Sequence, residues 1–413
     1  MSEKFKKNLV IIGFIVIVII IAYAIYYFFF RPAPKPPSYY FTPSTEIIPG
    51  QLPSIINENT NRRIEEEYAG LPSIERVPQG AVISDKAKGG YTAVQKKLEA
   101  GAFPKVGKDG SLVYYDSSQG RFYKRNADGS ITLLTAQRFY AVSRITWSDD
   151  AAKAVLEYPD GSNIVYDFNE NKQSTLPKEL QDFDFSNNGQ MIAAEAIGQQ
   201  TENNWIVTSN PDGANIQFIE RIGDQANNVD VNISPNNQVV ATYRENASAG
   251  SQEIVFIGQQ GENFKSMVVN GLGFAGQWTP SGEKLLYSAF QPANGFRPTL
   301  SLSGAFGDYI GAGNIDLGLQ TWSDKCAISA DSSSAYCAVP QNLPEGSGWY
   351  PELAQNLPDT FYKVDLTSGQ TTLLAEPVGN QPFYSAASVF LSPDGKTLYF
   401  QDQSGSVYGI NLP

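Results

Sequence analysis

Carboxylates and two cysteines carry nearly all of the reactive side-chain chemistry in this chain, which contains no histidine. Without histidine there is no Ser-His-Asp triad, no Cys-His pair, no His-ligated zinc and no imidazole to act as a general base. The sequence also lacks a G-x-S-x-G nucleophile elbow, a phosphate-binding P-loop and a C-x-x-C pair. Most hydrolytic mechanisms are therefore excluded.

The 42 acidic residues leave one catalytic chemistry open, a pair of carboxylates acting as in a glycoside hydrolase. Sequence spacing does not identify such a pair. Asp182-Phe-Asp184 and Asp230-Val-Asn232 each place oxygen atoms on one face of a strand, where they could contact calcium. Neither has the spacing of a calcium loop, so we interpret both as solvent-facing strand positions. We expect no catalytic residue, no metal site and no cofactor.

Cys326 and Cys337 are equidistant from the turn at Asp331-Ser332. In a regular hairpin they would face each other across two strands, within reach of a disulfide. We predict that disulfide, which is typical of an exported domain. The alternative is two small thiols buried in a core.

These side chains must be positioned by a repeated unit of strands. Seven related phrases combine an apolar residue with a turn rich in Ser, Pro, Asp, Asn and Gly, and strand-like runs flank each one. They begin at Val106, Trp147, Phe185, Ile233, Trp278, Ile328 and Leu391, at intervals of 38 to 63 residues. This is the period of a four-stranded blade. The sequence therefore predicts an all-β, seven-bladed β-propeller of four-stranded antiparallel blades over residues 81–413.

The seventh repeat has only three strand-like runs before Pro413, so its outer strand must come from elsewhere in the chain. Two earlier segments are candidates, residues 81–84 and residues 92–98. We favour the first because its residues prefer strands. The second contains Ala, Gln, Lys and Leu, which also suit a short helix.

Residues 8–30 contain no charge over 23 positions, enough for a helix to cross the roughly 30 Å hydrocarbon layer. Three lysines precede this run within residues 1–7, a short cytoplasmic tail, and aromatic residues cluster at its far end. We predict a single-pass anchor with the N-terminus inside and the propeller outside, periplasmic or on the cell surface. The alternative is a cleaved signal at Ala22-Tyr-Ala24.

Residues 31–80 contain nine prolines and read as an extracytoplasmic linker. The net charge of the whole chain is -12, and no basic stripe with interleaved aromatic residues occurs. Nucleic acid is therefore not an expected partner.

The phrases Trp147-Ser-Asp-Asp, Ile233-Ser-Pro-Asn and Leu391-Ser-Pro-Asp-Gly resemble the WD40-like repeat of TolB-type and prolyl-oligopeptidase propellers. The resemblance covers roughly residues 100–413. Residues 325–340, with Trp349-Tyr350, are also similar to single-span bacterial envelope propellers of unassigned activity. The resemblance implies a fold and an envelope location but no activity. Unlike TolB, this chain has a predicted anchor and no evident N-terminal α/β domain.

Long connections indicate where a partner binds. The links between the second and third strands are enlarged in repeats four, five and six, over residues 245–252, 290–298 and 340–359. In an up-and-down propeller these links share one face of the ring. Two of them carry residue types that dominate interface energetics. The candidate partner-binding residues are Phe290, Asn294, Phe296, Arg297, Trp349, Tyr350 and Glu352.

We therefore predict a non-catalytic protein-interaction or scaffold module of the cell envelope, with an envelope or membrane protein as its partner. The principal alternative is a propeller that binds or hydrolyses glycans through carboxylates. A third interpretation is a ligand-binding receptor, which would need a membrane partner for signalling because only seven residues precede the predicted span.

Overall fold

The computed structural model describes residues 77–78, 80–248 and 250–413. The predicted tail (1–7), the predicted span (8–30) and nearly all of the predicted linker (31–80) lie outside these residues. In the described ranges, no helix combines the length and the apolar character needed to cross a membrane.

The described residues form 29 strands. Two short strands, β1 (Tyr91–Ala93) and β2 (Gln95–Leu98), precede the repeats. Blade 1 contains β3 (Ala102–Val106), β4 (Leu112–Asp116), β5 (Arg121–Arg125) and β6 (Ile131–Leu133). Blade 2 contains β7 (Arg144–Trp147), β8 (Lys153–Glu157), β9 (Asn163–Asp167) and β10 (Lys172–Leu176). Blade 3 contains β11 (Leu180–Phe185), β12 (Ile192–Ala196), β13 (Trp205–Ser209) and β14 (Gln217–Arg221).

Blade 4 contains β15 (Val229–Val231), β16 (Val239–Ser248), β17 (Ser251–Gly258) and β18 (Met267–Asn270). Blade 5 contains β19 (Leu272–Trp278), β20 (Lys284–Phe290), β21 (Pro298–Gly304) and β22 (Ile315–Asp316). Blade 6 contains β23 (Cys326–Ile328), β24 (Ser334–Pro340), β25 (Asp359–Asp365) and β26 (Thr371–Val378). Blade 7 contains β27 (Ala386–Leu391), β28 (Thr397–Asp402) and β29 (Val407–Asn411). Short 3-10 helices occur at Thr201–Asn203, Gly223–Asn228, Pro292–Asn294, Gly307–Tyr309, Ser323–Lys325 and Pro351–Ala354.

The strands form seven separate sheets, each built on one repeat, and this confirms the predicted seven-bladed propeller. The core lies between neighbouring sheets. Tyr115 and Phe122 of blade 1, for example, share a buried cluster with Ala154 and Leu156 of blade 2. One blade cannot keep its own apolar faces dry, so radial stacking supplies the burial that stabilises every sheet.

The repeated turn phrase is a hydrogen-bonded device at the end of each inner strand. In blade 2 the Ser148 hydroxyl donates to Asp150 Oδ1 (2.7 Å) and accepts from the Lys153 amide (2.9 Å). Ser392 makes the same two bonds with Asp394 (2.6 Å) and Thr397 (2.9 Å) in blade 7. The Ser and Asp of the phrase therefore hold turns, and their recurrence is not a sign of catalysis.

The ring closes with β2, and the preference for residues 81–84 was wrong. β2 pairs antiparallel with β29 as the outer strand of blade 7. Ser84 makes only an isolated bridge to Thr92. The physical reason is burial, because Leu98 is 6% exposed in a cluster with Val407, whereas Val82 in the favoured segment is 87% exposed. Strand propensity alone did not capture this difference.

The N-terminal segment also contributes to blade 6. β1 pairs parallel with β26, giving that sheet a fifth strand.

Blades 6 and 7 are joined again near the axis, where Lys325 Nζ lies 2.9 Å from both carboxylate oxygens of Asp359. The Ala386 amide of β27 donates to the same carboxylate at 2.6 Å. This buried pair is fully hydrogen-bonded, as a buried charge must be to persist.

The predicted disulfide is present. Cys326 of β23 is directly opposite Cys337 of β24, and the sulfurs are bonded with the Cα atoms 4.1 Å apart. Both residues are at most 2% exposed. The bridge therefore lies inside the core between blades and away from solvent.

Loss of β2 packing should open the ring. We expect Leu98→Ala to lower the free energy of unfolding by about 2–4 kcal/mol, because a buried leucine is truncated in a closed site. Leu133→Ala is the control, since Leu133 is 41% exposed on the outer strand of blade 1 and should cost less than about 0.5 kcal/mol. Denaturant unfolding measures both, and equal losses would contradict a closing role for β2.

The disulfide closes a loop with a sequence separation of 11 residues. We expect the double variant Cys326→Ala/Cys337→Ala to unfold with about 3 kcal/mol less free energy than the oxidised protein, because the unfolded chain regains loop entropy. Thermal unfolding with and without reductant gives the comparison. Reductant should leave the variant unchanged, and a wild type equally insensitive to reductant would argue against the bridge.

Candidate functional site

Two long connections on one face of blades 5 and 6 form what we call the loop sector, residues 291–297 and 341–358. Both link second to third strands, as predicted. The third predicted insertion, residues 245–252, is not a long loop. β16 continues to Ser248 and β17 begins at Ser251, so these residues extend a hairpin. Paired strands satisfy their own backbone bonds, which is why the extra length there adds no loop.

Backbone hydrogen bonds join the two loops of the sector. The Gly346 amide donates to the Gly295 carbonyl and the Gly348 amide donates to the Phe296 carbonyl, each at 2.8 Å. Arg297 adds a side-chain bond, from Nε to the Leu343 carbonyl at 2.6 Å. These bonds hold the loops of blades 5 and 6 together, and we call the bonded contact between them the brace.

Aromatic contacts also hold the two loops together. The Phe290 ring is 4% exposed and meets Trp349 edge to face with centroids 4.6 Å apart. The Phe296 ring centroid lies 6.3 Å from that of Trp349. A Cβ on Gly348 would lie 2.3 Å from Phe290, so only glycine admits this approach. The indole is thereby fixed in orientation while 52% of Trp349 stays exposed.

The seven predicted partner-binding residues divide into two groups. Phe290, Asn294, Phe296 and Arg297 are buried or partly buried, and they build the brace. Trp349, Tyr350 and Glu352 are exposed on its outer side, where Tyr350 is 59% exposed. The sequence analysis missed Leu353, 44% exposed on the 3-10 helix Pro351–Ala354. The Pro351 that starts this helix was the available signal.

A second polar group lies where the inner strands of blades 2 and 3 begin. Arg144 pairs with Asp182, and its Nε lies 3.5 Å from Glu157 Oε2. Gln181 Nε2 donates to Glu195 Oε2 at 3.1 Å. Burial raises the pKa of the Glu195 carboxyl to about 7. Among the described residues, no three Asp, Glu or Cys side chains are grouped to hold a metal ion.

Asp184 and Asn232 of the acidic phrases connect neighbouring blades, so the solvent-facing interpretation was wrong for these two residues. The Asp182 side chain is 43% exposed, in line with that interpretation. Asp184 Oδ2 accepts the Ile233 amide of the next blade at 2.7 Å, and burial raises the pKa of this carboxyl to about 6. Asn232 Nδ2 donates to the Gly276 carbonyl of blade 5 at 2.9 Å. The side chains of Asp184 and Asn232 are used in hydrogen bonds between blades, and their arrangement does not form a calcium site.

One further phrase escaped the sequence analysis. Gly271-Leu-Gly-Phe-Ala-Gly276 has the G-x-G-x-x-G spacing of dinucleotide-binding proteins. It lies along the inner strand β19 and opens no helix. The fingerprint requires a strand-to-helix turn whose helix N-terminus receives the pyrophosphate. The phrase is therefore a strand with a bulge, which the register shift between Leu272 and Ala275 records.

The described residues also enclose a cavity of about 800 Å³ where blade 7 meets blade 1, which we call the seam cavity. It opens on the same face as the loop sector, because turns between second and third strands line it. Its lining residues are Ala100 to Pro104, Tyr115 to Ser118, Ile145, Trp147, Ala387, Ser388 and Gln401 to Gly405. No sequence signal marked it, since it is formed by three blades.

No family model and no curated protein matches this chain. Solved structures do match it. The β-propeller domain of Cps50 (Swd1) from Myceliophteria thermophila aligns with a TM-score of 0.51 at 11% identity, covering 78% of this chain and 100% of that one. Oligogalacturonate lyase from Vibrio parahaemolyticus aligns with a TM-score of 0.51 at 11% identity, covering 78% and 93%.

TolB from Acinetobacter baumannii aligns with a TM-score of 0.42 at 12% identity, covering 64% of this chain and 63% of TolB. That score is too low to support an argument. At these identities the matches with Swd1 and the lyase establish the fold alone, a β-propeller.

The raised pKa of Glu195 predicts a pH dependence of stability. A carboxyl whose folded pKa exceeds its usual value of 4.5 stays protonated in the fold while the unfolded chain ionises. Its contribution to the free energy of unfolding is therefore full below pH 4.5 and falls as pH rises to about 7. We expect Glu195→Gln to remove this part of the decline.

Denaturant unfolding across this pH interval provides the measurement. Glu220→Gln, on the exposed outer strand of the same blade, is the control and should keep the wild-type slope. A slope unchanged by Glu195→Gln would show that Glu195 titrates normally.

Proposed function

We propose that this chain is a membrane-tethered, extracytoplasmic propeller that binds a protein partner of the cell envelope through its loop sector. The observation that carries the proposal is the exposed pair Trp349 and Tyr350 on a loop that the neighbouring blade braces. A loop that only had to cover the ring would turn its large aromatic side chains inward.

The brace reduces the cost of binding. Interfaces gain most of their free energy from a few Trp, Tyr and Arg anchors in well-packed surroundings. Fixing such an anchor before binding avoids the ordering entropy that a mobile loop would lose. Trp349 packs against Phe290 and Phe296, so it is an anchor of this kind.

The charges around the anchor favour a neutral or basic partner surface. Glu345 and Glu352 are exposed beside Trp349 and Tyr350, and Arg297 Nη2 lies 3.8 Å from Glu345 Oε1. This pairing leaves Glu352 as the main charge next to the anchor. The whole chain carries a net charge of -12. An acidic partner would therefore be repelled from this surface.

The predicted tether favours a partner at the membrane. As flexible coil, the predicted linker (31–80) would extend on the order of 40 Å from the predicted span at 8–30. The partner would therefore lie within that distance of the bilayer.

Catalysis is not part of the proposal. The chain has no histidine, and Asp184 and Glu195, two carboxyl groups whose pKa burial raises, are bonded to neighbouring protein groups. An enzyme with the same fold, such as the matched lyase, does not transfer its activity at 11% identity.

Crosslinking of the full-length protein in intact cells tests the proposal. We compare wild type with Trp349→Ala/Tyr350→Ala and identify captured proteins by mass spectrometry. The control is Phe306→Ala/Tyr309→Ala, an aromatic pair that is 48% and 68% exposed on the opposite face of blade 5. We expect one defined partner to be captured by wild type and control and lost from the loop-sector variant.

The purified partner should then bind the loop-sector variant at least about 30-fold more weakly, the loss expected when a hot-spot residue is truncated. Equal capture by the wild type and both variants would remove the site assignment. A partner lost only from the control would place the binding surface on the other face.

A further inference from the structure

We propose that the seam cavity is a binding site for a neutral saccharide. The site is separate from the loop sector and was not marked by any sequence motif. Its volume of about 800 Å³ falls within the 300–1,000 Å³ that is usual for ligand pockets, roughly enough for a few sugar rings. Three features of its lining identify the ligand class.

The first feature is a rigid aromatic wall. Trp147 Nε1 donates to the Phe103 carbonyl at 2.8 Å, and its ring stacks on Phe168 with centroids 5.3 Å apart. The Tyr115 hydroxyl donates to the Phe139 carbonyl at 2.5 Å. Each polar tip is therefore used inside the protein. Tyr115 is only 1% exposed and supports this wall from the core. The partly exposed side chains of Trp147 and Phe103 line the cavity and present apolar surface to a ligand with an apolar face.

The second feature is a polar wall with unused groups. The side chains of Ser117, Ser388 and Gln403 line the cavity and make no hydrogen bond within the described part of the chain. They lie on two strand-connecting turns and on the inner strand β27. Hydroxyl and amide groups can both donate and accept, which suits a ligand that carries many hydroxyls.

The third feature is charge. In the described lining no Lys or Arg is present, and the two acids, Asp116 and Asp402, bond their own turns. Asp116 Oδ1 accepts the Ser118 amide and Asp402 Oδ1 accepts the Ser404 amide, both at 2.9 Å. These carboxylates would repel phosphates and uronic acids, whereas an uncharged saccharide is compatible with both walls.

The backbone at the cavity contains a bulge that positions the aromatic wall, and equivalent bulges occur on the inner strands β11 and β19. Phe103 has φ 51°, in the left-handed region, and the register of β3 shifts between Ala102 and Lys105. A bulge of this kind redirects a side chain at the rim of a sheet and is common beside binding sites. It also presents the Phe103 carbonyl to Trp147. The strained residue thus supports the aromatic wall.

Isothermal titration calorimetry on the full-length protein, in a detergent without a sugar headgroup, tests the proposal. The probes are maltotetraose, cellotetraose and chitotetraose, with tetragalacturonate as the charged comparison. We expect saturable binding of at least one neutral tetrasaccharide and none of tetragalacturonate. Ser117→Ala/Gln403→Ala should weaken that binding about tenfold, the loss expected for one or two hydrogen bonds.

Ser388→Leu fills the cavity without touching the core and should abolish binding. Ser174→Leu makes the same change in a cavity of about 540 Å³ on the opposite face and should leave binding intact. Affinity electrophoresis in the matching polysaccharide distinguishes recognition of the polymer from recognition of the free sugar alone. Retardation of wild type but not of Ser388→Leu supports recognition of the polymer, and retardation of neither supports recognition of the free sugar.

The proposal is overturned if no neutral tetrasaccharide binds, if tetragalacturonate binds as well as they do, or if Ser388→Leu binds normally. It fails independently of the proposed function. Trp349→Ala/Tyr350→Ala should bind saccharide normally, and Ser388→Leu should still capture the protein partner.

Discussion

Burial of each sheet against its two neighbours is the constraint on which this structure depends. Residues such as Tyr115, Phe122 and Leu156 are at most 1% exposed only because blades 1 and 2 face each other. Seven sheets that need two neighbours each must close on themselves, and β2 completes the last of them. Polar contacts follow the same geometry, since Asp184, Asn232 and Asp359 each bond a backbone group of the next blade. Closure is therefore a condition of stability for every blade.

A closed ring of this kind leaves function to the parts that the packing does not use. Its turns between first and second strands are short and bonded within themselves, as at Ser148. The face with longer connections is different: blades 5 and 6 place Trp349 and Tyr350 there, and blades 7 and 1 leave the seam cavity there. Both proposed sites therefore lie on one face. A partner and a saccharide could be held side by side.

The sequence predicted what is local or periodic. The turn phrases predicted seven blades, and the spacing of Cys326 and Cys337 about one turn predicted their bond, because hairpin register follows from turn position. It did not predict which segment closes the ring, since Leu98 and Val82 differ in burial and not in pattern. The loop sector was located, but its division into brace and exposed surface depends on contacts between two blades. The seam cavity and the Arg144 network are formed by residues far apart in sequence, so no local pattern marked them.

The path of residues 91–98 has a mechanical consequence. β1 is paired to the edge of blade 6 and β2 to the edge of blade 7, within eight consecutive residues. Tension from the N-terminal side would reach the three-residue parallel pair of β1 before it reached β2. The pairing of β1 with β26 would therefore take up the force before the pairing of β2 with β29, which closes the ring. A protein held by its N-terminus would then resist a pulling force without losing the strand that completes blade 7.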